Sequence, residues 1–310
     1  MNNNYKEIIA EINTLKKKKN AVILGHYYMR PEIQDFVDYI GDSLGLSQEA
    51  GNTTADIIVF CGVHFMAETA SIISPHKKVL IPDNTAGCSL AESICARDII
   101  EWRKKNPEGI VVSYVNTTAE TKAHSDYCCT SANALKIVSS LPDDKPILFT
   151  PDKNLGAYIK LKTGKKMKVW NGNCCVHEKF TSEIILEKSR EYPEADILIH
   201  PESNCSREPE ILNMPQTYMY STSGMIEHVA RTDKNQFIIV TETGTIHQME
   251  KNNPDKLYIP IQEYAICEEM KKINVENVLR CLKEETPVVK VEEPLRSKAW
   301  LPIKRMLEFK

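Results

Sequence analysis

None of the ten cysteines forms a C-x-x-C pair with another. That absence argues against zinc ribbons, thioredoxin-like redox motifs and ferredoxin-type cluster binding, so any metal site has to be assembled from sequence-distant thiols. No apolar run approaches the ~18 residues of a membrane span. The opening MNNNYKEII also lacks the long apolar region of a signal peptide. The expectation is a cytoplasmic protein. An excess of one charge is missing too: the formal net charge is −3 over 310 residues, with acids and bases interspersed. Nucleic-acid and anionic-membrane surfaces are thereby disfavoured. The lysine run at 16–19 reads as a solvated helix end that complements the helix dipole. Low-complexity and Pro/Gly-rich linkers are absent, which implies closely packed domains. In a reducing compartment, ten cysteines mean core thiols, metal ligands or catalytic groups and not disulfides.

What is present is a threefold repeat. A helix YKEIIAEINTLKK runs into AVILGHYY, LAESICARDIIEWRKK into GIVVSYVN, and HEKFTSEIILEKSREY into ADILIHPE. The strand-end residues His26, Tyr114 and His200 recur at a period of roughly 88 residues, which indicates three copies of one domain. Hydroxyl clusters follow: GDSLGLS around Ser43, CTSANA around Ser131 and STSGM around Thr222. Each copy then has a second apolar strand (IIVF, PILF, FIIV) and a third (KKVLIP, KKMKVW, DKLYIP), after which stand Cys88, Cys174 and Cys267. Short apolar runs without alternation are strands buried on both faces, hence parallel sheet covered by helices. The reading is an α/β protein of three αβα-sandwich domains with short parallel sheets around a pseudo-threefold axis. Boundaries fall at 1–86, 87–173 and 174–282, with 283–310 returning to complete the first domain.

In open α/β sheets, ligands bind outside the carboxyl ends of the strands. That rule selects His26, Tyr28, Tyr114, Asn116, His200 and Glu202 from the first strands, and the loops of Cys88, Cys174 and Cys267 from the third. Ser43, Ser131 and Thr222 precede helices, where an N-cap hydroxyl lies beside free backbone N–H groups that attract anions. Singly, each feature has an ordinary account as a buried thiol, a cap or a hydrogen-bonded histidine; their recurrence in register points to one central site. Three thiolates suit zinc, closed by a fourth ligand such as His177, or an iron–sulfur cluster with one iron left open. Spacing alone leaves Cys174 and its neighbour Cys175 as alternatives. Helix ends supply about 0.3–1 kcal/mol each to anion binding, whereas micromolar affinity takes about 8. Metal coordination or hydrogen bonds must add the rest, and the expected substrate is small and multiply negative.

Several segments together resemble the quinolinate synthase family: GHYY, FCGVHFMAETASI, LIPDNTAGCSLAE, SYVNTTAETKA, CTSANA, GNCCVHEKF, LIHPE, STSGMI, VTETG and CEEMKKI. The resemblance spans nearly the whole chain. It implies condensation of iminoaspartate with dihydroxyacetone phosphate to quinolinate, a step of NAD biosynthesis, on a [4Fe–4S] cluster within three αβα domains. It implies Cys88, Cys174 and Cys267 as cluster ligands, since the G-x-C-x-V-H frame places the second ligand at Cys174. Carboxylate binding is implied for His26, Ser43, Tyr114, Val115, Asn116, Ser131, His200, Pro201, Glu202 and Thr222. Tyr28 is implied in handling the triose phosphate and Glu202 as general base, with His26 assisting proton transfer. The enzyme that supplies iminoaspartate is implied as a partner. The chain departs from the family between HPE and STS, where it is about five residues longer, and at Ser203, where a cysteine is usual. Two other readings remain at this stage: a three-domain cluster enzyme resembling the diphthamide-synthesis radical enzymes, and a non-catalytic protein stabilised by zinc.

Overall fold

The computed structural model describes residues 3–309 and contains three four-stranded parallel sheets of identical strand order. The first comprises β1 (Ala21–His26), β2 (Tyr39–Gly41), β3 (Ile57–Cys61) and β4 (Lys78–Leu80). The second comprises β5 (Ile110–Tyr114), β6 (Tyr127–Cys129), β7 (Ile147–Thr150) and β8 (Met167–Val169). The third comprises β9 (Asp196–Ile199), β10 (Thr217–Met219), β11 (Gln236–Val240) and β12 (Leu257–Pro260). In each, the second strand lies at one edge, the first and third occupy the centre, and the fourth closes the other edge.

The central strands follow from the apolar runs. All five residues of β3 and all four of β7 and β9 are buried, as a strand covered by helices on both faces requires. β-Branched Ile and Val supply six of these thirteen positions and fit the pleated surface. The sequence pattern gave no sign of β2, β6 and β10. Each is three residues long and lies at an edge, and the segments VDYIGD, SDYCCT and QTYMYS hold no aliphatic run of the kind that KKVLIP shows around the equally short β4.

The chain end crosses between units. The helix Val275–Glu284 packs on Asn3–Lys18. Val288 then makes an antiparallel bridge to Leu80 of β4, with Val289 N donating to the Val79 carbonyl at 2.8 Å. The last helix, Leu295–Glu308, packs against both Ala119–Ala123 and β6 of the second unit. It buries Ala299, Ile303 and Met306, and Asn133 Nδ2 donates to the Met306 carbonyl at 3.1 Å.

Candidate functional site

The same end of all three sheets opens on one cavity. His26, which closes β1, Tyr114, which closes β5, and His200, which follows β9, all line it, as do Tyr28, Asn116 and Glu202. Two of the three repeats share a detail. Tyr28 N donates to His26 Nδ1 at 3.1 Å, and Glu202 N donates to His200 Nδ1 at 3.4 Å. A ring nitrogen that accepts a backbone N–H carries no proton, so in both rings the proton sits on Nε2. Burial pulls the His26 ring down to about 4 and the His200 ring to about 3, against the opposing pull of nearby carboxylates. Both are neutral near pH 7 and act as N–H donors. His200 Nε2 lies 3.2 Å from Ser131 Oγ.

Ser43, Ser131 and Thr222 line the cavity, but none of them is the N-cap the sequence suggested. The caps are Asp42, whose carboxylate accepts from Gly45 N at 3.0 Å, Asn133, and Ser221, whose hydroxyl accepts from Gly224 N at 3.3 Å. Ser43 and Thr222 are therefore first helical residues. Their helices cap themselves one residue earlier, which leaves both hydroxyls available to the cavity. No Lys or Arg side chain lines the cavity among the described residues. An anion here meets neutral N–H and O–H donors and helix ends, beside the side chains of Asp42, Glu202 and Glu269. Asn116 Oδ1, buried and facing no protein donor, marks a polar atom without an internal partner.

Glu202 is 3 % exposed and joins these donors to a second network. Its Oε2 lies 3.0 Å from His177 Nδ1 and 3.4 Å from His200 Nδ1. Burial works to raise this carboxyl, but the hydrogen bond and field of His177, with His200 and the Tyr114 hydroxyl, hold it down at about 2. Glu202 is thus a carboxylate near neutrality. Its Oε1 has no hydrogen-bond partner among the described residues. His177, fully buried, touches Cys174 Sγ at 3.2 Å through Nδ1 and Thr241 Oγ1 at 2.9 Å through Nε2. Tyr28 OH completes this chain, 2.8 Å from Thr241 Oγ1, and burial raises its pKa well above the ordinary phenol value. Lys271 fixes the turn carrying Tyr28 by donating to its carbonyl at 2.5 Å while paired with Glu242 at 2.8 Å. Gln34 Nε2, donating to Tyr27 O and Gly244 O at 2.8 and 2.9 Å, ties the same turn to the third unit.

Cys88, Cys174 and Cys267 line this cavity as half-buried free thiols. Their surroundings repeat. Backbone N–H groups of Leu90 and Ala91 act to lower the Cys88 thiol, that of His177 the Cys174 thiol, and those of Glu269 and Met270 the Cys267 thiol, although neither Cys88 nor Cys267 caps its helix through sulfur. Such donors suit thiolates bound to metal. Without one, burial pushes the Cys88 thiol up to about 12 and Cys267 to about 11. Cys174 is raised first by its hydrogen bond with Cys175 and then by burial. Cys175 is exposed, although it also reaches the cavity.

Val115 and Pro201 do not line the cavity. Val115 is buried, its N–H donating to the Cys129 carbonyl at 2.8 Å and its carbonyl accepting from Thr117 N at 2.8 Å. Pro201 is buried in the turn that sets His200 and Glu202. Sequence reasoning missed Thr241, Asp42, Glu242 and Lys271. The strand-end rule, applied also to the second apolar strand of each repeat, would have found Thr241, which directly follows β11.

The whole arrangement can be set against known proteins. A family model described as quinolinate synthetase A protein matches residues 10–308. The chain is 53% identical over 303 residues to a quinolinate synthase of Pyrobaculum aerophilum, covering 96% of this chain and 98% of the relative. It is 46% identical to those of Gloeothece citriformis, covering 98% and 94%, and Thermus thermophilus, covering 97% and 96%. These relatives are enzymes, and the likeness runs through every segment that builds the cavity. With its repeated sheets, its three converging cysteines and a match along nearly its entire length, this chain belongs to the quinolinate synthetase A family.

Proposed function

We propose that this chain condenses iminoaspartate with dihydroxyacetone phosphate to form quinolinate, releasing phosphate and water, in the cytoplasm and as a step of NAD biosynthesis. A [4Fe–4S] cluster on Cys88, Cys174 and Cys267 is the cofactor of this reading. The observation that supports it is the donor set: three free thiols, one from the end of each repeat, lining one cavity. Three thiolates on a four-iron cluster leave one iron as a Lewis acid for substrate oxygen. The division into units near residues 86 and 173 belongs to the same reading, as does a functional partner that supplies the unstable imine.

The chain's own groups then have distinct tasks. Neutral His26 and His200 hold carboxylate oxygens through Nε2–H, joined by Ser43, Ser131, Asn116 and Thr222. With no lysine or arginine lining the cavity among the described residues, these neutral donors have to carry anion recognition together with the helix ends. Glu202, ionised and with Oε1 unpartnered, is the general base for the ring-closing dehydration. Tyr28 keeps its proton near neutrality and serves as a donor to a departing oxygen.

The test uses protein purified without oxygen. About four irons and four sulfides per chain, brown absorbance and quinolinate formation are expected. Glu202→Gln should retain the absorbance and lose turnover, whereas Cys88→Ser should lose the absorbance itself. Turnover persisting in Glu202→Gln would remove Glu202 as the base.

A further inference from the structure

Cys174 belongs to a second constellation that the cluster does not use. Its sulfur, His177 Nδ1 and one oxygen of Glu202 all lie within 4.8 Å of one another. The contacts are 3.2 Å from Sγ to Nδ1 and 3.0 Å from Nδ1 to Oε2. We infer that, in protein lacking its cluster, these three side chains bind one divalent cation of the zinc class.

Thiolate, imidazole and carboxylate are the donors zinc prefers. With metal bonds of about 2.3 Å to sulfur and about 2.0–2.2 Å to nitrogen and oxygen, tetrahedral ligands stand roughly 3.3–3.6 Å apart. The two contacts made by Nδ1 need to open by only about 0.3–0.4 Å to admit the ion, and the sulfur and the Glu202 oxygen already lie within 4.8 Å of each other. His177 and Glu202 are buried and already held on one side, so little ordering remains to be done. The fourth corner faces the cavity that all three residues line, leaving it to water.

The other side of the imidazole suits the same role. A metal-bound histidine needs an acceptor for its remaining ring N–H. His177 Nε2 has Thr241 Oγ1 at 2.9 Å. A threonine hydroxyl can donate or accept, so the ring can carry its proton on Nδ1 toward Glu202 when the ion is absent, and on Nε2 toward Thr241 when it is bound. Binding releases the Cys174 thiol proton to solvent and forms one sulfur–metal bond, with no redox change. Because Cys174 is also a proposed cluster ligand, the ion and the cluster exclude one another; this last consequence rests on the reading given above.

The test titrates cluster-free, reduced full-length protein with Co2+, whose bond to a thiolate gives a near-ultraviolet charge-transfer band and whose tetrahedral sites absorb strongly in the visible. One ion per chain is expected, displaced by Zn2+. Cys174→Ser should abolish the charge-transfer band, and His177→Ala and Glu202→Gln should each weaken binding by about tenfold or more. Cys88→Ser, Cys267→Ser and Cys175→Ser should leave it unchanged. A loss in Cys88→Ser or Cys267→Ser as severe as in Cys174→Ser would overturn the site in favour of a three-thiolate one. Absence of the band in the parent protein would also overturn it. A separate arm asks whether Zn2+-loaded protein accepts iron and sulfide. Blocked loading that chelation relieves supports the exclusion, while unhindered loading with the cation site intact would remove Cys174 from the cluster and leave the cation site standing.

Discussion

At the scale of single residues, hydrogen-bond partners decide what the buried polar groups can do. Thr241 Oγ1 stands between Tyr28 OH at 2.8 Å and His177 Nε2 at 2.9 Å, and it holds both groups in place. Removing a buried hydroxyl that bridges two polar groups costs about 1–3 kcal/mol. Thr241→Val keeps the shape and is expected to lower kcat about tenfold to a hundredfold with little change in KM, and Thr241→Ser should recover most of it. Steady-state kinetics decide this, and equal loss in both variants would assign Thr241 to packing alone. His26 gives a pH prediction. Its folded ring titrates at about 4 against 6.5 in the unfolded chain, because burial disfavours the charged form. Between those values the unfolded chain binds more protons, so stability is lost as pH falls through the window, by up to about 1.4 kcal/mol per unit. Denaturant melts from pH 6.5 to 4.5 should show a flatter slope in His26→Gln than in the parent. The strand-end histidines were legible from the repeat, but their tautomers were not, since those depend on which backbone N–H turns toward each ring.

At the scale of elements, the loop from β8 to Cys174 leaves no spare room. Gly172 pairs with Pro151 and Lys153 through backbone hydrogen bonds of 3.0 and 2.7 Å. A Cβ at this position would lie 2.3 Å from Ser93 Oγ and 2.6 Å from the Pro151 carbonyl oxygen. The serine can rotate; the carbonyl can move only with the backbone. Gly172→Ala is therefore expected to displace Cys174 and lower iron content per chain, with the far-ultraviolet dichroism of the three sheets retained. Full iron loading in that variant would show that the loop gives way without moving its sulfur. Elements were legible where they are long and buried, as in β3 and β11. The edge strands β2, β6 and β10 escaped because each is three residues with no aliphatic run around it, unlike β4 within KKVLIP. The hydroxyl clusters were placed one or two residues from the true caps, because Asp42 and Ser221 stand beside an equally good cap former and Asn133 stands two residues from one.

At the scale of the whole molecule, the period of the sequence implied three similar units, but not the contacts that lock them together. Gln34 to Gly244 and Arg30 to Lys271 join residues more than two hundred positions apart, and nothing periodic marks them. Across this seam the central cavity takes one cysteine from the end of each repeat, so a group bound to all three sulfurs ties the units at one point. A ligand that binds only the folded arrangement stabilises it according to its own affinity, about 2.7 kcal/mol at a hundredfold excess over Kd. Removing the proposed cluster by chelation under reducing, oxygen-free conditions is therefore expected to lower Tm by about 5 °C or more. The location of the change is the sharper criterion. Backbone hydrogen exchange should rise in the loops bearing Cys88, Cys174 and Cys267, while the fully buried strands β3, β7 and β9, held by their own sheets, stay protected. Cys88→Ser should reproduce the pattern without chelator. Equal exchange in all three loops before and after chelation would mean that the units hold their arrangement without a shared centre, and that the cysteines converge on something the fold does not need.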